Sequence, residues 1–143
     1  MKQLILDALI NATQQLEQSL HYYHSDIVQH DAGLKLQLRA AAILSFEFTY
    51  ELAWKTLRRY LMLVEPNPAE VANLSYPDLI RLSCDRGLLR SELSVWKGFR
   101  QDRSITSHTY NNQKAEMIFA HLPFFLEETQ DLLQRLQQKI AVL

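Results

Sequence analysis

The chain has 143 residues, 48% of them apolar, and a formal net charge of −1. That length buries one core with little left for a second, and the near-neutral charge excludes nucleic-acid binding by bulk basicity, so any such role needs a local patch. One cysteine, Cys84, excludes an intramolecular disulfide, while three glycines and four prolines amid abundant Leu, Gln, Ala and Glu favour long helices over hairpins.

A single all-α domain over residues 1–143 is therefore expected. The start of the chain lacks the charged segment, apolar run and cleavage site of a leader, so a cytoplasmic location is expected. The most apolar stretch, "AAAILSFEF", meets Glu47 well short of the roughly 20 residues a membrane span needs.

The first helix is read from Ile5, Leu9, Ala12, Leu16, Leu20, Tyr23 and Ile27, whose spacing of three or four keeps one face apolar. "HDAGL" around Gly33 is expected to end it. His21 and His24 share this helix without an obvious third ligand, so no metal site is expected. The second helix, from about 34 to 64, carries Leu36, Ala40, Ile43, Tyr50, Trp54, Leu57 and Leu61 on one stripe. Leu44, Phe48 and Leu52 form a second side, and Ala42, Phe46 and Ala53 a third. A helix apolar nearly all round must be covered nearly all round, either as the central helix or against a second subunit. Glu47 falls on the main stripe and Glu51 one turn later. Carboxylates so placed want a partner, and an arginine or histidine from residues 103–110 is one candidate, solvent the other.

"EPNPAE" breaks this helix at Pro66 and Pro68. "SYPD" then reads as a capped start, Ser75 at N-cap and Asp78 at N3, for a short helix ending at Gly87. Ser91 is expected to cap the next helix, "ELSVWKGFRQDR". The last helix begins near Asn112 and buries Ile118, Leu122, Phe125, Leu132, Leu136 and Ile140, with Pro123 expected to kink it. The layout is a bundle of four main helices plus a short one. From Arg81 to Arg103, six basic residues, Arg100 among them, outnumber three acidic ones, a modest basic patch.

The stretch "RSITSHTY", residues 103–110, departs from this pattern. On an ideal helix Arg103 and Tyr110 would share a face and His108 would point about 140° from Arg103. Ser104, Ile105, Thr106, Ser107 and Thr109 are indifferent helix formers, and Asn111 and Asn112 favour a turn. The helix is expected to end here, freeing His108 and Tyr110 to approach Arg103 or a second copy.

The order Arg103, four residues, His108, one residue, Tyr110, together with "FEFTYELAWKTL" at 46–57 and "GLL" at 87–89, resembles the HEPN-domain ribonuclease toxins of the HepT type, also called nucleotidyltransferase substrate-binding proteins. The resemblance implies an up-and-down HEPN-like bundle, homodimeric, acting as a metal-independent endoribonuclease without cofactors. It implies the toxin of a type VII-like toxin–antitoxin pair, with Arg103 and His108 catalytic. Tyr110 is then the residue to which a cognate minimal nucleotidyltransferase (MNT), the antitoxin, attaches AMP. Glu47, Glu51 and Arg100 are candidate supporting residues. The chemistry suits these types. RNA cleavage needs a base for the 2′-hydroxyl proton and a cation for transition-state charge, which histidine and arginine supply near neutral pH. The alternative is a non-enzymatic subunit that binds a substrate or nucleotide for a two-component nucleotidyltransferase.

Overall fold

The longest apolar pattern becomes the longest helix. In the structure, a computed structural model that describes residues 4–143, helix α3 runs from Ala32 to Val64 and forms the axis of the molecule. Before it come α1 (Asp7–Tyr23) and the one-turn α2 (Asp26–Gln29). After it come α4 (Pro68–Ala72), α5 (Tyr76–Asp85), α6 (Leu93–Ser104) and α7 (Asn112–Ile140), with a 3-10 turn at Thr106–His108 between the last two. No strand occurs among the described residues.

Helices α1 and α7 pack against α3 and against each other. From α3, Ala42, Phe46, Ala53, Leu57 and Leu61 are fully or almost fully buried, meeting Leu9 and Leu16 of α1 and Ile118, Leu122 and Phe125 of α7. Phe125 is the hub of an aromatic cluster. It meets Phe46 edge-on at 4.8 Å and Phe99 at 5.0 Å, with Trp96 at 6.4 Å. Edge-to-face pairs at these distances add to burial worth about 1.5–3 kcal/mol per large apolar side chain.

Several boundaries differ from the sequence reading. The first helix stops at Tyr23, where Ser25 donates its hydroxyl to the Tyr22 carbonyl at 2.7 Å, so Ile27 lies exposed on α2. Gly33 ends nothing. It sits in the first turn of α3, whose start is set by Asp31 accepting from the Leu34 amide at 3.0 Å. On α3 itself Leu36 and Ala40 are exposed, because the core begins only at Ala42. Pro68 starts a helix rather than ending one: α3 stops at Val64, and Pro68 occupies the first turn of α4 behind an Asn67 cap. Ser75 caps α5 as expected, accepting from the Asp78 amide at 3.3 Å. Ser91 caps nothing. Glu92 is the N-cap of α6, and the Ser91 hydroxyl donates to the buried Glu128, which also accepts from Arg90 Nε at 3.1 Å. Helix α7 continues through Pro123 without a break.

Candidate functional site

Residues 103–110 hold their shape through hydroxyl groups. Helix α6 ends at Ser104, whose side chain donates back to the Gln101 carbonyl at 2.6 Å. The buried Thr106 hydroxyl donates to the Arg103 carbonyl at 2.9 Å and accepts from Arg103 Nη1 at 3.1 Å, while Thr109 donates to the Thr106 carbonyl at 3.2 Å. Each small residue closes on a carbonyl three positions back, a local bond that competes with continued helix. Asn111 then caps α7 through the Lys114 amide, and Arg39 of α3 donates to Asn112 at 2.8 Å and pairs with Glu116, fixing where α7 begins.

The segment presents its functional side chains in two groups. His108 is exposed and its ring lies 6.1 Å from that of Tyr110, at 74°, with Tyr110 itself 85% exposed. Arg103 instead lines a cleft of about 430 Å³ between α3, α5 and α6, which Glu51, Trp54, Tyr76 and Arg100 also line and His108 and Tyr110 do not. Arg103 and His108 therefore share one turn but not one pocket within a single chain.

Of the two glutamates singled out on α3, Glu51 is the partner. Its Oε1 lies 3.5 Å from Arg103 Nε, an ion pair without a hydrogen bond, since the buried Nε finds no acceptor in good geometry. Lys55 approaches the same carboxylate at 3.8 Å. Glu47 is half-buried and belongs to none of the ion pairs among the described residues. Arg100 lies with its guanidinium carbon 4.8 Å from the Tyr76 ring centroid. Arg58 lines the cleft too, but its Nη1 is committed to three carbonyls at the end of α4, those of Val71, Ala72 and Leu74, at 2.8, 3.2 and 3.0 Å. Burial pushes the Tyr50 phenol up to about 12 and raises Tyr76 as well, so both remain neutral donors at the cleft floor.

One hydrogen-bonded pair behind the site escaped the sequence reading. Asp102, next to Arg103 and buried, accepts from or shares a proton with His121 of α7, Oδ2 to Nδ1 at 2.8 Å. Burial raises the Asp102 carboxyl above its ordinary value and the histidine opposes that rise. The two are nineteen positions apart on different helices. No local spacing could have paired them. Among the described residues no group of three or more His, Cys, Asp or Glu could hold a metal ion, and no helix is long and apolar enough to cross a membrane.

Residues 4–138 match the family described as nucleotidyltransferase substrate binding protein like. The chain belongs to that family. A Haemophilus influenzae relative named probable ribonuclease HepT is 37% identical over 102 residues, 71% of this chain and 69% of its own length. A solved Haemophilus influenzae structure, described as revealing the fold of a substrate binding domain of a nucleotidyltransferase, aligns with a TM-score of 0.86 at 34% identity, over 93% of this chain and 99% of that one. A Thermus thermophilus crystal structure aligns at 0.65 with 33% identity, over 87% and 98% of the two chains. The chain is thus a HepT-type member of the substrate-binding-protein family, and the all-α fold expected from the sequence is that of the Haemophilus structure it aligns with.

Proposed function

We propose that this HepT-type family member is an endoribonuclease whose cleft is completed by a second copy of the chain, and that it is the toxin of a two-gene pair. The observation that carries this reading is the single turn that holds Arg103 in a cationic, aromatic cleft and leaves His108 exposed beside it. Arg103 clamps the scissile phosphate through its forked donor. His108 takes the proton from the 2′-hydroxyl as that oxygen attacks phosphorus and the bond to the 5′-oxygen breaks. The leaving oxygen takes its proton from the second copy's His108. Dimerisation brings the two halves of this machinery together, and the exposed apolar stripe of α3, with Leu44 at 52% and Phe48 at 61%, is the surface that would mate.

Tyr110, exposed and next to His108, is the acceptor for AMP from a nucleotidyltransferase partner. The added phosphodiester competes for the charge of Arg103 and silences the enzyme. The alternative, a non-enzymatic subunit presenting a nucleotide to that partner, draws on the description of the Haemophilus fold as a substrate binding domain. Expression of wild type beside His108→Ala and Arg103→Ala, without the partner, separates the two. Growth arrest with RNA fragmentation is expected for wild type alone, with all three proteins showing the same helical circular dichroism. Intact RNA with purified wild type would leave the binding reading in place.

A further inference from the structure

We propose that the cleft beside Arg103 is a subsite for one unpaired nucleobase of an RNA strand, with Arg100 and Trp54 as its stacking surfaces. The inference rests on the ribonuclease reading for the identity of the polymer. Its own grounds are the chemistry of the cleft walls.

Arg100 is exposed and joins none of the ion pairs among the described residues. Its guanidinium carbon lies over the Tyr76 ring, 4.8 Å from the centroid. An exposed guanidinium is a flat, charged group of the kind on which unstacked bases lie in single-stranded RNA complexes. Trp54, half-buried on α3, meets Tyr76 edge-on at 6.3 Å and 87° and has Lys55 Nζ and the Arg58 guanidinium over its ring at 5.6 and 5.8 Å, so this wall of the cleft joins aromatic rings to cations that a base can displace or stack beside. The cleft volume of about 430 Å³ lies in the range of small-ligand sites and accommodates a base with its ribose.

The cations divide their work. Arg58 is held by main-chain carbonyls, and Arg103, although paired with Glu51 at 3.5 Å, keeps its guanidinium at the cleft wall for the phosphate that follows the base. Glu51 lines the same cleft and repels a second phosphate, which makes this a poor hole for bare anions and a suitable one for an uncharged base and ribose. A base inside a duplex has both faces occupied and cannot enter, so the substrate class is single-stranded RNA.

The two tryptophans make the test direct, because Trp96 is 0% exposed and Trp54 lines the cleft. Intrinsic fluorescence of the full-length wild type is titrated with a short single-stranded 2′-O-methyl RNA, which cannot be cleaved. Parallel titrations use the same strand without its bases, the same strand in a duplex, and 5′-AMP. The base-bearing strand is expected to quench emission and to bind about tenfold or more tighter than the base-free strand, with duplex and 5′-AMP far weaker. Arg100→Lys keeps the charge and loses the plane, so it should weaken the base-bearing strand severalfold and leave the base-free strand unchanged. Trp54→Phe should retain binding that Trp54→Leu loses, both followed by fluorescence anisotropy of a 5′-labelled strand because these variants lack the reporting tryptophan. Equal affinity with and without bases, duplex binding as tight as single strand, 5′-AMP binding as tight as the strand, or an Arg100→Lys protein identical to wild type would each overturn the subsite. Cleavage of unmodified RNA is followed separately. Cleavage without base-dependent quenching rejects the subsite and spares the ribonuclease. Base-dependent quenching without cleavage does the reverse.

Discussion

Individual side chains around residues 103–110 separate by what each would lose. Tyr110 is 85% exposed, so Tyr110→Phe costs no packing and should leave the fold and RNA cleavage largely intact, yet remove the oxygen proposed to accept AMP. Intact mass and RNA integrity, with partner and ATP present, check this: a gain in AMP units and silencing are expected on wild type alone. Asp102 gives a pH signature. Its carboxyl is raised by burial, so the folded protein holds that proton more tightly than the unfolded chain, and stability falls as pH rises above the ordinary value of 3.8 through the raised one. Asp102→Asn has no such proton to lose, and the stability difference, wild type minus variant, should shrink across that interval in denaturant titrations. The spacing of Arg103, His108 and Tyr110 was legible because it lies within one turn. The Glu51 contact was half legible, since an arginine partner for an α3 glutamate was foreseen and Glu47 and Glu51 were not told apart. Trp54, Tyr76 and the Asp102–His121 pair come together only through the packing of α3, α5, α6 and α7, which no short-range pattern encodes.

Helix ends show where local signals suffice. Gly87 has φ +73, and the amides of Gly87 and Leu88 return to the carbonyls of Cys84 and Ser83 at 3.0 and 2.9 Å, closing α5 with the paired bonds of a left-handed C-terminal cap. Gly87→Ala should cost about 1 kcal/mol, read as a lowered denaturation midpoint, because a Cβ is strained in that conformation. This end and the Ser75 start were legible, since glycine and serine act through their own backbone. The α4 segment was hidden because proline stops one helix and opens another with equal ease, and only the Asn67 side chain, accepting from Glu70 at 3.2 Å, decides which. Ser91 misled for the opposite reason. Its hydroxyl is drawn to the buried Glu128, a tertiary demand stronger than a cap.

The whole molecule depends on α7 meeting α3. Phe125→Ala removes the ring at the centre of the aromatic cluster and should destabilise the fold by about 3–5 kcal/mol, measured by urea unfolding. Phe48→Glu tests assembly instead. The side chain is 61% exposed, so the helical spectrum should survive, and light scattering at micromolar protein should report a monomer where wild type gives a dimer. The bundle was legible because four long apolar repeats in so short a chain have few ways to hide from water. The break between α1 and α2 was not, since the apolar spacing runs on past Tyr23 into Ile27. The reliance on α7 also has a consequence in time. Helices α1 and α3 are sequence neighbours and can pair as soon as both exist, but α7 must return across the chain to meet them, a closure of higher entropic cost. A chain emerging from the ribosome therefore forms its first hairpin early, while the start of α7, fixed by Arg39 on Asn112, waits for that helix to clear the exit tunnel. Synthesis itself delays the assembly of the site until α7 has emerged.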